Sequence, residues 1–373
     1  MRTAIAAMLA LLAMASAKAT VLVAPADLHD GLAVAAPEAV GIDPKMLEAM
    51  TGAIVRGDYP MTTSLLIVRD GKLAFEAYFG VGNRSLLNNT RSATKFIAAL
   101  AVGTAIRDGA IPSEDVRAFS YLADLKPFRN ESLLKQEITL KDMMTMSSAL
   151  DCDDNSESSP GNEDKMHNEQ NWTRWAVDLP SMQTYTRDSF GLGPWRYCTA
   201  NAFLVGQVIQ RATHTPADRY IDENILRPLG INRRHWSYSP VHETMTGGGL
   251  ELRSRDLAKI SWMIVNDGRY QGRNVIQKSW IDKALTSYRA SRPDQNYGYF
   301  IFEGQYKTRC GMHPVWYMAG NGGSQIVLLR DMRTAIVITR QAYNVHGSSV
   351  QTQDLLERYV LPALPCVAKP YFQ

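Results

Sequence analysis

Ser92-Ala93-Thr94-Lys95 places a hydroxyl and an amine three residues apart, directly ahead of the apolar run Phe96 to Ile106. On a helix, side chains at that spacing share one face. If the helix begins near Ser92, the hydroxyl sits in the first turn, where unpaired N–H groups and the positive dipole end favour a developing negative charge. This is the chemistry of a nucleophile with a proton acceptor beside it. The lysine accepts a proton only when neutral, a state that burial against an apolar helix and nearby positive potential favour.

A second group is Tyr197-Cys198-Thr199-Ala200-Asn201, ahead of the helical run Phe203 to Ile209. A phenol works as a base only beside a positive charge, and Lys95 would supply it; the ordinary alternative is a core Tyr with a satisfied hydroxyl. A third is Gly320-Asn321-Gly322-Gly323-Ser324-Gln325, leading into the strand Ile326 to Leu329. Its glycines let a substrate lie close against the backbone. An N–H at Ser324 paired with that of Ser92 would form an oxyanion hole; the alternative is a plain Gly-rich turn.

Spacing alone is weak evidence, because Ser132-Leu133-Leu134-Lys135 repeats the first pattern. Its neighbours Arg129, Asn130, Glu131, Gln136 and Glu137 read as a solvated surface, so this copy is expected to be inert. The Ser92 copy differs in opening a helix that is apolar all round, as buried helices are, and that ends at Arg107-Asp108-Gly109 with a glycine cap.

The elements that must hold these groups are strands at both ends and helices between. Ser64 to Val68 and Leu73 to Tyr78 flank Asp70-Gly71, a hairpin signal. Tyr297 to Phe302, Gln325 to Leu329 and Thr334 to Thr339 read as further strands, followed by a helical stretch, Gln351 to Leu361. Helical patterns such as Leu140 to Met146 and Ala202 to Arg211 fill the middle. The fold class implied is α/β of the α+β type. An antiparallel sheet of five or more strands is completed by the two chain ends (about 40–105 and 231–373), flanked by N- and C-terminal helices, beside an inserted, mostly helical lobe (about 106–230). The polar segment Asp151 to Glu169 reads as a loop whose acidic residues serve solvation or capping, without the spacing of an EF-hand.

The chain opens with Met1-Arg2-Thr3, an apolar stretch from Ala4 to Ala15, and small-x-small sites at Ala15-Ser16-Ala17 and Ala17-Lys18-Ala19, the pattern of a secretory signal peptide over residues 1–19. The apolar run is too short to span a bilayer. Losing Arg2 and Lys18 with it brings the formal charge from +3 to +1, with no basic cluster for nucleic acid. A hydrophobic content of 45% argues for a packed core rather than disorder. Cys152, Cys198, Cys310 and Cys366 all lie in the exported part, where disulfides form, and their spacing leaves three pairings open. Without a Cys-x-x-Cys pair, and with scattered histidines, they do not read as a zinc site. No cofactor and no metal is called for.

Taken in this order, the three groups resemble the serine β-lactamase and penicillin-recognising superfamily, most closely its class C-like esterase and amide-hydrolase branch. In that pattern Ser-x-x-Lys supplies nucleophile and lysine, Tyr-x-Asn a second base, and a Lys-Thr-Gly or His-x-Gly strand the oxyanion N–H; Ser92, Lys95 and Tyr197 match. Ile138 to Asp151, Gly247-Gly248-Gly249-Leu250 and Ser254 to Lys259 are also similar to the family. The sequence departs at Thr199, with Asn201 two positions later, and at Asn321, where the cation that would clamp a β-lactam carboxylate is absent. The resemblance therefore implies an exported serine hydrolase acting on a small ester or amide through an acyl-enzyme on Ser92. Lys95 and Tyr197 would move protons, and Asn321, Gly322, Gly323, Ser324 and Asn201 would line the substrate. The rival readings are a β-lactamase or peptide-amide hydrolase, and a penicillin-binding sensor that stays acylated. A Gly-x-Ser-x-Gly elbow does not occur in the chain, so His313 and His346 are expected to be structural or peripheral. Trp316 and Tyr317 line an acyl pocket or belong to the core. The same resemblance places the loop after Ile138–Asp151 and the Tyr197 turn at one site, hence a Cys152–Cys198 bridge.

Overall fold

The computed structural model describes residues 24–366, so the expected signal peptide lies outside the described residues. Nine strands form one sheet: β1 (Ala33–Val34), β2 (Thr62–Arg69), β3 (Lys72–Tyr78), β4 (Arg289–Arg292), β5 (Gln295–Tyr297), β6 (Phe302–Thr308), β7 (Gly311–Gly320), β8 (Ser324–Leu329) and β9 (Thr334–Arg340), in the order β1-β3-β2-β9-β8-β7-β6-β5-β4. All pairings are antiparallel except that of β1 with β3. The two chain ends meet at the β2–β9 pair, where Ile67 faces Ile336. At the β2–β3 turn, Asp70 and Gly71 both take positive φ (49° and 78°), as a two-residue hairpin of this type requires.

The central strands are apolar on both faces because both are covered. Leu66 and Val68 of β2, Ile326 and Leu328 of β8, and Ala335 and Val337 of β9 join the core shared with the helical region. Their alternates Leu65, Ile67, Val327, Leu329, Ile336 and Ile338 pack with helix α1 (Pro44–Arg56) and the C-terminal helical stretch. Side chains of period two thus sort into two cores, and each fully buried Leu, Ile or Val contributes about 1.5–3 kcal/mol. Helix α1 turns Leu47, Met50, Ala53 and Ile54 toward the sheet, is capped by Asp43, and stops at Gly57, whose φ is 92°.

Helix α2 (Thr94–Arg107) is buried along its length, from Thr94 to Ala105, which is why its sequence is apolar all round. It closes as the sequence implies, Gly109 taking φ 75°. Against it packs α3 (Thr199–Thr213), while α4 (Ser254–Val265) lies on strands β2, β8 and β9 of the sheet. No described helix is long and apolar enough to cross a membrane.

Two sequence expectations fail at the far side of the sheet. Tyr297 to Phe302 is not one strand: Tyr297 ends β5, Gly298 N–H bonds to the Ile301 carbonyl, Phe300 takes φ 57°, and Phe302 opens β6. A short apolar aromatic run satisfies a buried turn as well as a strand. The long strand β7 is not among the strands read from the sequence. Pro314 pairs only with Gln305 of β6, and β8 pairs with β7 from Trp316 onward, so its missing N–H falls where no ladder needs it.

Candidate active site

The chain enters the site through a tight 3-10 turn, Arg91–Ala93, that runs directly into α2. Arg91 holds φ 51°, uncommon for a residue with a side chain, and its guanidinium lies over the Tyr343 ring, 4.8 Å from the centroid. Ser92 follows, in the first helical turn. Lys95 reaches back along the same face: its Nζ donates to Ser92 Oγ at 2.7 Å and to the Gly247 carbonyl at 2.7 Å. The lysine is 0% exposed, so its amine sees little but these two oxygens and the face of Tyr197, whose centroid is 5.0 Å away. That distance lies in the range of a cation–π contact.

Tyr197 is half-buried in an aromatic cluster, parallel to Phe302 at 6.2 Å and edge-on to Tyr297 at 6.5 Å. Ser92, Tyr197, Trp195 and Phe302 open onto one cleft of about 650 Å³. A disulfide between Cys152 and Cys198 fixes the turn carrying Tyr197, as expected; the second joins Cys310 to Cys366.

The third group is assembled differently from the expectation. Ser324 is 2% exposed and outside the cleft wall; its hydroxyl donates to the Arg340 carbonyl at 3.1 Å and accepts from the Arg340 N–H at 3.0 Å. Gly322 and Gly323 lie off the wall too and serve the turn, with φ 104° and 81°. The wall is instead Ala319, Gly320 and Asn321 at the end of β7. Gly320 makes the close approach: a Cβ there would stand 1.9 Å from the Thr90 carbonyl and 3.1 Å from Arg91 Cβ. A run of four residues with three glycines does not reveal which of them abuts the Ser92 turn.

Asn201 is also displaced from its expected role. It is 1% exposed, and its Oδ1 accepts from Ser148 at 2.9 Å behind the cleft. Asn321 does face the cleft but is tied to Asn344, donating to its Oδ1 at 2.6 Å and accepting from its N–H at 2.8 Å. The absence of a cation is a property of position 321, since Arg91 and Arg292 are among the residues lining the same cleft. Tyr317 is core, 8% exposed, and Trp316 donates to the Leu285 carbonyl. His313 is held by Asp331 at 2.5 Å, and His346 is exposed.

Two residues of the polar loop were missed. Asp154 and Glu163 are half-buried and line the cleft with Ser92, and Asp154 caps the N–H groups of Thr199 and Glu163, the capping its type allowed. Burial, reinforced by Glu163, pushes Asp154 up to about 6 against the lowering charge of Lys95 and the bonds from Thr199. Burial also works to raise Glu163, but its contact with His167, the charge of Lys95 and the Thr199 hydroxyl outweigh it and hold Glu163 near 2. The sequence signal was the bridge: Asp154 lies two residues beyond Cys152, and Cys198 is next to Tyr197.

Comparison with known proteins agrees with this frame. The Beta-lactamase family model matches residues 61–348. A 6-aminohexanoate-dimer hydrolase of Paenarthrobacter ureafaciens is 24% identical over 275 residues, 70% of this chain and 65% of that protein. A D-stereospecific amidohydrolase from Streptomyces superposes with TM-score 0.62 at 17% identity, covering 83% of this chain and 98% of the other. A family VIII carboxylesterase does so with TM-score 0.63 at 15% identity, covering 85% and 96%. The chain belongs to the β-lactamase family, and it spans about 65% of the length of the curated relative it matches.

Proposed function

We propose that the protein is an exported serine hydrolase that cleaves a small ester, and secondarily an amide, through an acyl-enzyme on Ser92. The observation that carries the reading is the 2.7 Å contact between Lys95 Nζ and Ser92 Oγ at the wall of an open cleft. Ser92 Oγ attacks the carbonyl carbon, and its proton passes to the Lys95–Tyr197 pair and on to the leaving alkoxide or amine. Water then enters, gives up a proton to the same pair, and releases the acid with Ser92 restored. Negative charge on the carbonyl oxygen is met by the N–H of Ser92 and, at the end of β7, that of Asn321 rather than Ser324. The two disulfides support export, since such bonds persist in oxidising compartments. The amide reading is favoured by the relative named a 6-aminohexanoate-dimer hydrolase.

The test is turnover of a short-chain chromogenic ester, with a linear amide alongside, by the mature protein and by Ser92→Ala. Ester turnover lost in the variant supports the reading; turnover of the amide alone selects the second substrate class. Equal turnover by both proteins rejects Ser92. A stoichiometric acyl-enzyme that forms with a β-lactam and does not turn over identifies a sensor instead.

A further inference from the structure

Behind Lys95 and Tyr197 the structure holds a closed circuit of contacts. The Asp154 N–H donates to the Tyr197 carbonyl at 2.8 Å. Asp154 then accepts twice, from the Thr199 N–H at 2.7 Å on Oδ2 and from the Glu163 N–H at 2.9 Å on Oδ1. The Thr199 hydroxyl donates to Glu163 Oε2 at 2.6 Å. The other side of Thr199 packs on Gly247, where an added Cβ would come 2.7 Å from Thr199 Cγ2, and the Gly247 carbonyl is the one that receives Lys95 Nζ. Both ends of the circuit are thus catalytic groups of the proposed reaction.

We propose that Asp154 and Glu163 are positioning residues for acyl transfer: acting through Thr199, they hold Tyr197 and Lys95 in register, and Asp154 does so only as a carboxylate. The inference rests on the serine-hydrolase reading above. An ionised carboxylate accepts on both oxygens, whereas a protonated one gives up acceptor capacity on the oxygen that carries the proton. Protonating Asp154 therefore weakens its hold on Thr199 or on Glu163 and loosens the turn bearing Tyr197. The charged and titratable groups around it are Lys95 from α2, Glu163 and His167 from the short helix Glu163–His167, and Tyr197. Because Asp154 titrates at about 6 in the folded protein, above the ordinary 3.8, its protonation does not itself favour unfolding. Acid loss of activity through this group is therefore separable from acid denaturation.

The experiment is the pH profile of kcat and kcat/KM for ester hydrolysis by the wild type, Asp154→Asn, His167→Gln, Thr199→Val and Thr199→Ser, with Ser92→Ala as control and a thermal melt of each. The wild type is expected to lose activity as pH falls through about 6. Asp154→Asn is expected to lower kcat by about 10- to 100-fold with little change in KM, as a small misplacement of reacting groups does, and to abolish that acid limb. His167→Gln keeps the limb whatever it does to the rate. Thr199→Val lowers kcat and Thr199→Ser restores it, a pair that decides the matter if Asp154→Asn does not fold. An acid limb unmoved in Asp154→Asn, or moved by His167→Gln instead, overturns the proposal, as do equal rates for Thr199→Val and Thr199→Ser. Undiminished turnover in Ser92→Ala would sink the serine-hydrolase reading itself, and this one with it.

Discussion

Ser92-x-x-Lys95 and Ser132-x-x-Lys135 have the same spacing and both lysines are buried, yet the two sites are built for different work. At the first, the amine points at the hydroxyl, 2.7 Å away, and the hydroxyl's residue lines a cleft. At the second, Ser132 sits in extended conformation as the cap of a four-residue helix, Leu133–Gln136; its Oγ accepts from the Lys135 N–H at 3.1 Å and bonds Ser181 Oγ at 2.6 Å. The Lys135 amine turns away to the Val177 carbonyl at 2.9 Å and lies over the rings of Phe119 and Phe128. The neighbours Arg129, Asn130, Glu131, Gln136 and Glu137 are exposed, as their types imply, but Lys135 itself is 1% exposed. Polar neighbours in sequence surround it while its own side chain dives beneath them. Burial and spacing are therefore insufficient for a nucleophile; what differs is which backbone conformation the serine adopts and where the amine finds its acceptors.

The largest expected difference between the two copies is in rate. Ser92→Ala removes the oxygen proposed to attack and should reduce ester turnover on the order of 10³-fold or more. Ser132→Ala should leave kcat/KM within about a factor of two, as substitutions away from the reacting atoms usually do. Steady-state kinetics on both variants checks this, and a comparable loss in both would dissolve the contrast.

Next comes a pH effect peculiar to Lys135. Burial lowers it from the ordinary lysine value of 10.5 to about 8, a cost that the charges of Asp178 and Glu131 offset only in part. The unfolded chain therefore holds this proton more tightly than the folded one, so the penalty is full below pH 8 and is relieved as pH rises toward 10.5. Stability from this group alone should increase across that window by about 3 kcal/mol. Lys135→Met should remove the pH dependence and match or exceed the wild type at neutral pH, read from denaturant midpoints on either side of pH 8. A wild type with no such rise would mean that Lys135 is better solvated than its setting implies.

A smaller effect sharpens why the first copy needs its long helix. Gly103 of α2 lies against Trp280, and a Cβ there would stand 2.2 Å from Trp280 Cδ1, inside a core where Trp280 is only 5% exposed. Gly103→Ala should destabilise the fold by about 1–3 kcal/mol despite the better helix propensity of alanine. A thermal melt decides it, and an unchanged midpoint would mean that α2 has room to shift and so to move Lys95.

What the sequence disclosed follows the range of the interactions. Ser92 and Lys95 meet within one turn, and the Asp70-Gly71 hairpin is equally local, so both were legible. The Cys152–Cys198 bridge needed the family resemblance, because spacing alone left the pairing open. Asp154 and Glu163 were not legible, nor, within the family-like stretch Gly247 to Leu250, was the role of the Gly247 carbonyl, since each acts on a partner far along the chain: Thr199 lies 45 residues from Asp154 and 36 from Glu163, and Gly247 lies 152 from Lys95. In a polar loop, a carboxylate that caps a distant turn looks the same as one that faces water. The misassignment of Ser324 has a related cause. Whether Gly320 or Gly323 meets Thr90 depends on the register of β7 against β8, which sequence periodicity does not specify.

The smallest predicted effect separates the serines by stability rather than rate. Ser132 is a true cap, and its loss to alanine should cost about 1 kcal/mol, with Ser132→Asn recovering most of it. Ser92 caps nothing: neither the Arg91–Ala93 turn nor α2 has a side-chain cap, and among the described residues the Ser92 hydroxyl bonds only to the Lys95 amine. Ser92→Ala should therefore keep the wild-type midpoint to within about 0.5 kcal/mol or raise it, as removal of a residue poised for reaction often does. Denaturant melts of the two alanine variants, compared under the conditions of the rate assay, should show opposite orders for stability and for activity. If Ser92→Ala were the less stable of the two, the hydroxyl would be holding Lys95 in place as structure, and its alignment with the amine would no longer argue for catalysis.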